Sequence, residues 1–225
     1  MVENASACGV PANLRHHVPV GTSRAEFEEK RSVFIGTMGP AQDVAAVQAF
    51  VAALRAEYPD ATHHAWAYRL EAGPQGTIGS SDDGEPGGTA GRPMLAVLDG
   101  SGLAYVVVVG TRYFGGIKLG TGGLVRAYSA AARQALASLP TEERVWHRLA
   151  EVTVDYAAYG SLRHAVPQLG VQIRAERFAD LVTLELAIPY DAIERCAGLL
   201  RDLTSGRLAL EKCWIAGPGI WTKPV

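Results

Sequence analysis

The segment Leu103-Ala104-Tyr105-Val106-Val107-Val108-Val109-Gly110-Thr111-Arg112-Tyr113-Phe114-Gly115-Gly116-Ile117-Lys118-Leu119-Gly120-Thr121-Gly122-Gly123-Leu124-Val125-Arg126-Ala127-Tyr128 decides the fold. Its run of valines predicts a strand over Leu103–Gly110 buried on both faces, because a strand with one wet face alternates apolar and polar residues. A glycine loop follows, then a helix over about Leu124–Leu139 closed by Pro140. A glycine-rich loop opening a helix presents backbone N–H groups at the positive end of the dipole, a ready anion site for which phosphate is the natural ligand. The standard nucleotide templates fail, however. Gly120-x-Gly122-x-x-Val125 lacks the last small residue of a dinucleotide fingerprint, and no Gly-Lys-Ser/Thr follows at P-loop spacing. Glycines serving only close helix–strand packing remain the structural alternative.

The charge pattern around this segment points the same way. The whole chain of 225 residues has a net charge of only −2, which names no partner. Between Asp99 and Glu142 there is no acidic residue, whereas Arg112, Lys118, Arg126 and Arg133 fall there, with Arg126 and Arg133 on one helix face. Glycine is concentrated too, with 15 of the 25 glycines lying between Gly73 and Gly123. That region is built from tight turns and close backbone approaches.

Immediately upstream, Ser80-Ser81-Asp82-Asp83-Gly84-Glu85-Pro86-Gly87-Gly88-Thr89-Ala90-Gly91-Arg92-Pro93-Met94-Leu95 gathers three carboxylates before a short helix at Pro93–Leu98. Asp82, Asp83 and Glu85 are of the type that ligates a hard cation, but acids at this place also cap the following helix and complement its dipole. The spacing does not fit an EF-hand. His63-His64 opens a strand over His63–Leu70, so the two rings point to opposite faces, and either is a structural imidazole unless a partner positions it as a base. No Gly-x-Ser-x-Gly nucleophile motif is present.

Working outward, strands are expected near Arg15–Val20 and Ser32–Met38. A helix follows over Ala41–Tyr58, with Val44, Val47, Val51 and Leu54 at helical spacing, and Pro59 stops it. In the second half a strand near Val152–Tyr156, a helix around Tyr159–Leu169, strands at Val171–Phe178 and Leu181–Ile188, a helix at Ile193–Leu203 and a strand at Arg207–Trp214 give the order β-α-β-β-α-β, the ferredoxin-like arrangement. The expected organisation is a poorly ordered lead-in over 1–14, a first domain over 15–140, a boundary within Pro140–Arg148, a second domain over 148–215 and a tail over 216–225. A composition of 48% hydrophobic and 20% charged residues supports a real core. Cys8, Cys196 and Cys213 match neither a disulfide framework nor a zinc site and are expected as reduced thiols. No apolar stretch reaches the length of a membrane span and no signal-peptide pattern opens the chain, so a soluble, cytoplasmic protein is expected.

On the motifs Asp82-Asp83-Gly84-Glu85-Pro86, Gly88-Thr89-Ala90-Gly91, Pro93-Met94-Leu95, Arg112-Tyr113-Phe114-Gly115-Gly116 and Leu119-Gly120-Thr121-Gly122-Gly123-Leu124-Val125, together with His63-His64, the sequence resembles the IMPACT/YigZ family, in its bacterial two-domain YigZ branch. The resemblance spans about residues 15–215. It implies an α+β protein whose N-terminal domain holds a left-handed βαβ unit, like a ribosomal small-subunit protein and domain IV of elongation factor G. The second domain is then similar to that factor's ferredoxin-like domain V. The translation kinase restrained by eukaryotic members is met through a further N-terminal domain and does not carry over. Val33 departs from the family's strand motif, which has a second basic residue there.

These readings give three functional expectations. The first is a binding protein with a regulatory role in translation that contacts RNA, the ribosome or a translation factor. Its phosphate-binding surface comprises Arg112, Tyr113, Lys118, Gly120, Thr121, Gly122, Gly123 and Arg126, supported by His63, His64, Asp82, Asp83, Glu85, Thr89 and Gly91. The second is an enzyme acting on a phosphorylated small molecule or nucleotide, with a metal held by Asp82, Asp83 and Glu85. The third is a protein-interaction module with no anion ligand. Binding is preferred over catalysis. No cofactor, membrane association or DNA specificity is expected.

Overall fold

The computed structural model describes residues 14–71, 76–216 and 219–224. The expected lead-in over 1–14 lies almost wholly outside these residues, as does Cys8. The chain divides into two compact units, His16–Glu142 and a second formed by Arg15, the residue before it and Glu143 onward. Among the described residues no helix is long and apolar enough to cross a membrane.

β1 (Arg15–Pro19) begins at the division, and the first unit continues with β2 (Ser23–Glu29), β3 (Ser32–Pro40), α1 (Val44–Glu57), β4 (His63–Arg69), β5 (Ile78–Ser81), α2 (Gly91–Ser101), β6 (Val106–Tyr113) and α3 (Thr121–Ala137). The sheet runs β2-β3-β6-β4-β5, and β3 and β4 both pair antiparallel with β6. The β3–α1–β4 connection is therefore a parallel β-α-β crossover with β6 inserted between its strands.

The two faces of this sheet explain the valine run. Val106 and Val108 bury against α2 and α3, while Val107 and Val109 bury against α1. β6 is central and covered on both sides, so both alternating sets must be apolar. α1 presents Val47, Val51 and Leu54 to its face and is started by Asp43, whose side chain accepts from Ala46 N at 2.7 Å.

A row of small residues sets how close α3 comes. Gly36, Gly110 and Ala65 lie opposite one another across β3, β6 and β4. A Cβ on Gly36 would fall 2.3 Å from the Ala131 carbonyl oxygen, and one on Gly110 would fall 2.7 Å from the ring of Tyr128. Both glycines are thus required by close approach to α3 rather than by backbone conformation.

The second unit contains β7 (Thr141–Val154), α4 (Tyr156–Ala165), β8 (Gln172–Phe178), β9 (Val182–Pro189), α5 (Ile193–Leu203) and β10 (Ile220–Thr222). β9 pairs antiparallel with both β7 and β8, and β10 pairs with β7. Its core joins Val152, Leu184, Leu186 and Ile188 to Leu162 and Leu200 of the helices. The fold is ferredoxin-like, with departures in its later part. Arg207–Trp214 is not a strand. It makes a short 3-10 turn at Leu210–Lys212 and one bridge from Trp214 to Ala150, with Glu151 N donating to the Cys213 carbonyl at 2.8 Å. The segment still occupies the fourth-strand place beside β7. Part of the expected tail is likewise ordered, as β10. Thr141–Val154 is one continuous strand, so the division between the units falls inside a strand rather than in a loop. Cys196 and Cys213 are free thiols.

Gly36→Ala is expected to cost about 1–3 kcal/mol of stability, the ordinary range for overpacking, and so to lower the urea midpoint. Gly87→Ala, which meets nothing within 4 Å, should leave it unchanged.

Candidate functional site

One cross-strand row carries the buried chemistry. Phe34, Arg112 and His63 lie opposite one another on β3, β6 and β4, two residues along from the small-residue row and so on the same face, toward α3. Arg112 is 5% exposed. Its guanidinium lies between two rings, 5.4 Å from the centroid of Phe34 and 5.3 Å from that of Phe114. Arg112 Nη1 donates to Glu85 Oε1 at 2.8 Å, and Tyr128 Oη donates to the same oxygen at 2.7 Å. Arg112 Nη2 and Gly115 N both donate to Ser32 Oγ, at 3.3 and 3.1 Å. His63 Nε2 stands 3.9 Å from Glu85 Oε1, and its Nδ1 lies 2.8 Å from the Asp83 carbonyl, which fixes the proton on Nδ1. Burial, reinforced by the Glu85 charge, pushes the Tyr128 phenol far above its usual pKa. The hydroxyl therefore stays a donor at all ordinary pH.

The acidic loop is committed residue by residue. Asp82 Oδ1 accepts from Ala90 N at 2.9 Å and Gly91 N at 2.8 Å, and Oδ2 accepts from Gly88 N at 2.7 Å, so this side chain closes the start of α2. Burial works to raise its pKa, but those three donors and the charge of Arg92 outweigh it and hold the carboxyl below its usual value. Asp83 accepts from His64 N at 2.6 Å and from Arg55 at 2.5 Å. Its own φ of +46° and that of +84° at Gly84 turn the chain so that Glu85 points inward. Thr89 Oγ1 closes the loop by donating to the Pro86 carbonyl at 2.6 Å, and Gly91 lies so near Ser81 that a Cβ would fall 2.9 Å from its backbone. His64 is buried with Nδ1 3.1 Å from Thr111 Oγ1, and burial lowers its pKa.

Asp82, Asp83 and Glu85 thus serve a helix start, a strand and a buried ion pair. Among the described residues no group of three or more His, Cys, Asp or Glu is arranged to hold a metal ion. The metal-binding expectation finds no converging ligand set, and the capping alternative describes Asp82.

The expected anion residues separate into two groups. Arg112 faces the interior, and Tyr113 is half-buried. Lys118, Gly120, Thr121, Gly122 and Arg126 are exposed around the start of α3, with Gly123 half-buried there. Gly120 precedes the helix at φ +74° and supplies no side-chain cap, so the first-turn N–H groups face outward without one. Lys30, which sequence reasoning missed, joins Arg126 at a cavity of about 230 Å³ that Phe27, Glu29, Leu119 and Gly123 also line. Ser32 and Tyr128 were missed as well. Tyr128 closes the quoted glycine-rich segment and Ser32 opens an expected strand, but their roles depend on strand register and helix closeness.

Residues 30–136 match the model of the Impact N-terminal domain, and residues 152–207 match a domain of unknown function, DUF1949. An IMPACT family member of Haemophilus influenzae is 38% identical over 196 residues, covering 86% of this chain and 95% of the relative. The chain belongs to the IMPACT family. The IMPACT family member YigZ of Escherichia coli matches equally, at 38% identity over 86% of this chain and 95% of its own. A solved structure described as a hypothetical protein aligns with 91% of the chain and 98% of its own, at 35% identity and a TM-score of 0.60. Ser32, His63, Glu85, Arg112, Lys118, Arg126 and Tyr128 all fall inside the Impact N-terminal match.

Glu85→Ala should cost about 3–5 kcal/mol in urea unfolding, because it strands a buried guanidinium. Asp82→Ala should cost about 1 kcal/mol as a lost cap. Because the folded-state pKa of Asp82 is depressed, its contribution is present above the unfolded value near 3.8 and is lost as pH falls through the folded value. The difference in melting temperature between parent and Asp82→Ala should therefore be full at neutral pH and shrink in acid.

Proposed function

We propose that this IMPACT-family chain is a binding protein with a regulatory role in translation, contacting single-stranded RNA through the exposed cationic surface at the start of α3. The observation that carries the reading is the N-terminus of α3, without a side-chain cap and flanked by exposed Lys118 and Arg126. Backbone donors at the positive end of a 17-residue helix favour an anion, and glycines at 120, 122 and 123 leave room for a phosphate to approach the main chain. The acid-free stretch between Asp99 and Glu142 keeps repulsion low along the segment itself. Lys30 and Arg31 add exposed positive charge in the β2–β3 turn, next to the exposed Glu28 and Glu29 of β2. The likeness to elongation-factor domains that the family resemblance implies supports translation as the setting.

The catalytic alternative needs carboxylates and cations converging on one enclosed site. Here Glu85 is spent on Arg112, and Lys118 is solvent-exposed. An open cationic surface suits a polyanion better than a small substrate.

The test is fluorescence anisotropy of a labelled single-stranded oligonucleotide over a salt series. Lys118→Ala with Arg126→Ala should weaken binding about uniformly across sequences. It should also flatten the slope of log affinity against log salt by ~0.7 per lost contact. Unchanged affinity and slope would place the binding surface elsewhere. Loss of saturable inorganic-phosphate or nucleotide binding with the oligonucleotide affinity intact would favour a small phosphorylated ligand.

A further inference from the structure

We propose that Phe114 is a stacking platform for an unpaired base, backed from beneath by the Arg112 guanidinium. It would hold one base of a strand whose phosphates lie on the neighbouring cations. The inference rests on the RNA-binding reading above and adds to it a recognition residue that a phosphate surface does not need.

Phe114 follows a buried strand and is 47% exposed. Its position is fixed from several sides. Phe114 N donates to Thr62 Oγ1 at 3.1 Å, and Gly115 N donates to Ser32 Oγ at 3.1 Å. A Cβ on Gly115 would fall 1.9 Å from the Arg31 carbonyl oxygen, so the chain after Phe114 is pressed onto the β2–β3 turn and only glycine fits there. Arg112, which carries the ring, is itself held by Glu85 and Ser32 and stacked on Phe34. Phe34, Arg112 and Phe114 thus follow one another from the core to an exposed ring, with cation–π contacts of 5.4 and 5.3 Å. A backbone held in this way leaves less conformational entropy to be lost on binding.

The chemistry around the ring selects the occupant. Arg31 adjoins Gly115, and Lys118 lies four residues beyond Phe114, both exposed. A protein hot spot is ringed by residues that exclude water, whereas a base stacked on an aromatic carries a phosphate on each side, for which exposed cations on the adjoining segments are the natural counter-charge. Stacking of this kind is tolerant of base identity, because every base has a π-face.

The test compares a short labelled oligoadenylate with an abasic oligomer of equal phosphate number. The proteins are the parent, Phe114→Ala, Phe114→Leu and Phe114→Trp, with melting temperatures checked for each. The parent should bind oligoadenylate more tightly than the abasic strand. Phe114→Ala and Phe114→Leu should each weaken oligoadenylate on the order of ten-fold, within the roughly 5- to 150-fold span of one stacked base, and leave abasic affinity and salt slope unchanged. Phe114→Trp should match or exceed the parent. The platform is overturned if the Ala and Leu variants bind oligoadenylate as the parent does, or if they weaken both oligomers equally. It is also overturned if the parent binds the two oligomers alike, a result that leaves the cationic surface standing. A parent that binds neither oligomer defeats both readings. Phe114→Leu keeps an apolar side chain over Arg112, so the test survives should Phe114→Ala fail to fold.

Discussion

A carboxylate buried to 3% exposure has to find its compensation inside the protein, and Glu85 finds it in Arg112 and Tyr128. An isolated charge there would cost several kcal/mol, and an arrangement that moved either partner away would leave that cost uncovered. Glu85 lies on the loop after β5, Arg112 on β6 and Tyr128 on α3. One oxygen therefore ties a loop, the central strand and the covering helix together. A pair of this kind adds little net stability over an apolar replacement of the same shape. What it enforces is position: the loop that closes α2 and the helix that opens at Gly120 are held to one strand.

That tie works only because α3 lies close to the sheet. The row Gly36, Gly110 and Ala65 removes side-chain volume where α3 crosses, and Tyr128 drops into the space over Gly110 with its hydroxyl reaching Glu85. Two residues along, the row changes from small to large, and Phe34 meets the Tyr128 ring edge-on at 5.3 Å. The period of two along each strand thus separates a row that admits a helix from a row that carries charge.

Much of this was legible in the sequence, and what was missed has a physical pattern. The valines of β6, the helical spacing of Val47, Val51 and Leu54, and the β-α-β-β-α-β order are set by burial, which leaves its period in the sequence. β2 was not seen because Ser23-Arg24-Ala25-Glu26-Phe27-Glu28-Glu29 is an edge strand rich in charge, with Ala25 and Phe27 its only apolar residues. Its turn is also silent, because Lys30 and Arg31 take φ of +50° and +65° without the glycine or asparagine that marks a hairpin. The cost of missing β2 was the site's third cation, since the register that brings Lys30 to Arg126 depends on that hairpin. Arg207–Trp214 misled in the other direction: Leu208 and Leu210 carry a strand-like period, but the local 3-10 turn at Leu210–Lys212 satisfies that backbone instead. Site residues were named by motif, and the motif could not say which cations face inward.

The division between Arg112 and Lys118 follows from the chain's path. Arg112 belongs to β6, whose register places it on the face covered by α3, and burial there demanded Glu85 from a distant segment. Two residues later the strand has ended. Gly115 presses against the β2–β3 turn, and the following residues rise out of the fold toward solvent. Lys118 and Arg126 then flank a helix start without calling on a buried acid. A stretch with no carboxylate between Asp99 and Glu142 can do both things only because its one buried cation draws its counter-charge from residue 85. The inner charge is neutralised and fixed, and the outer charges of Lys118 and Arg126 stay in solvent. Phe114 stands at the boundary, with its ring 5.3 Å from the neutralised guanidinium and still 47% exposed.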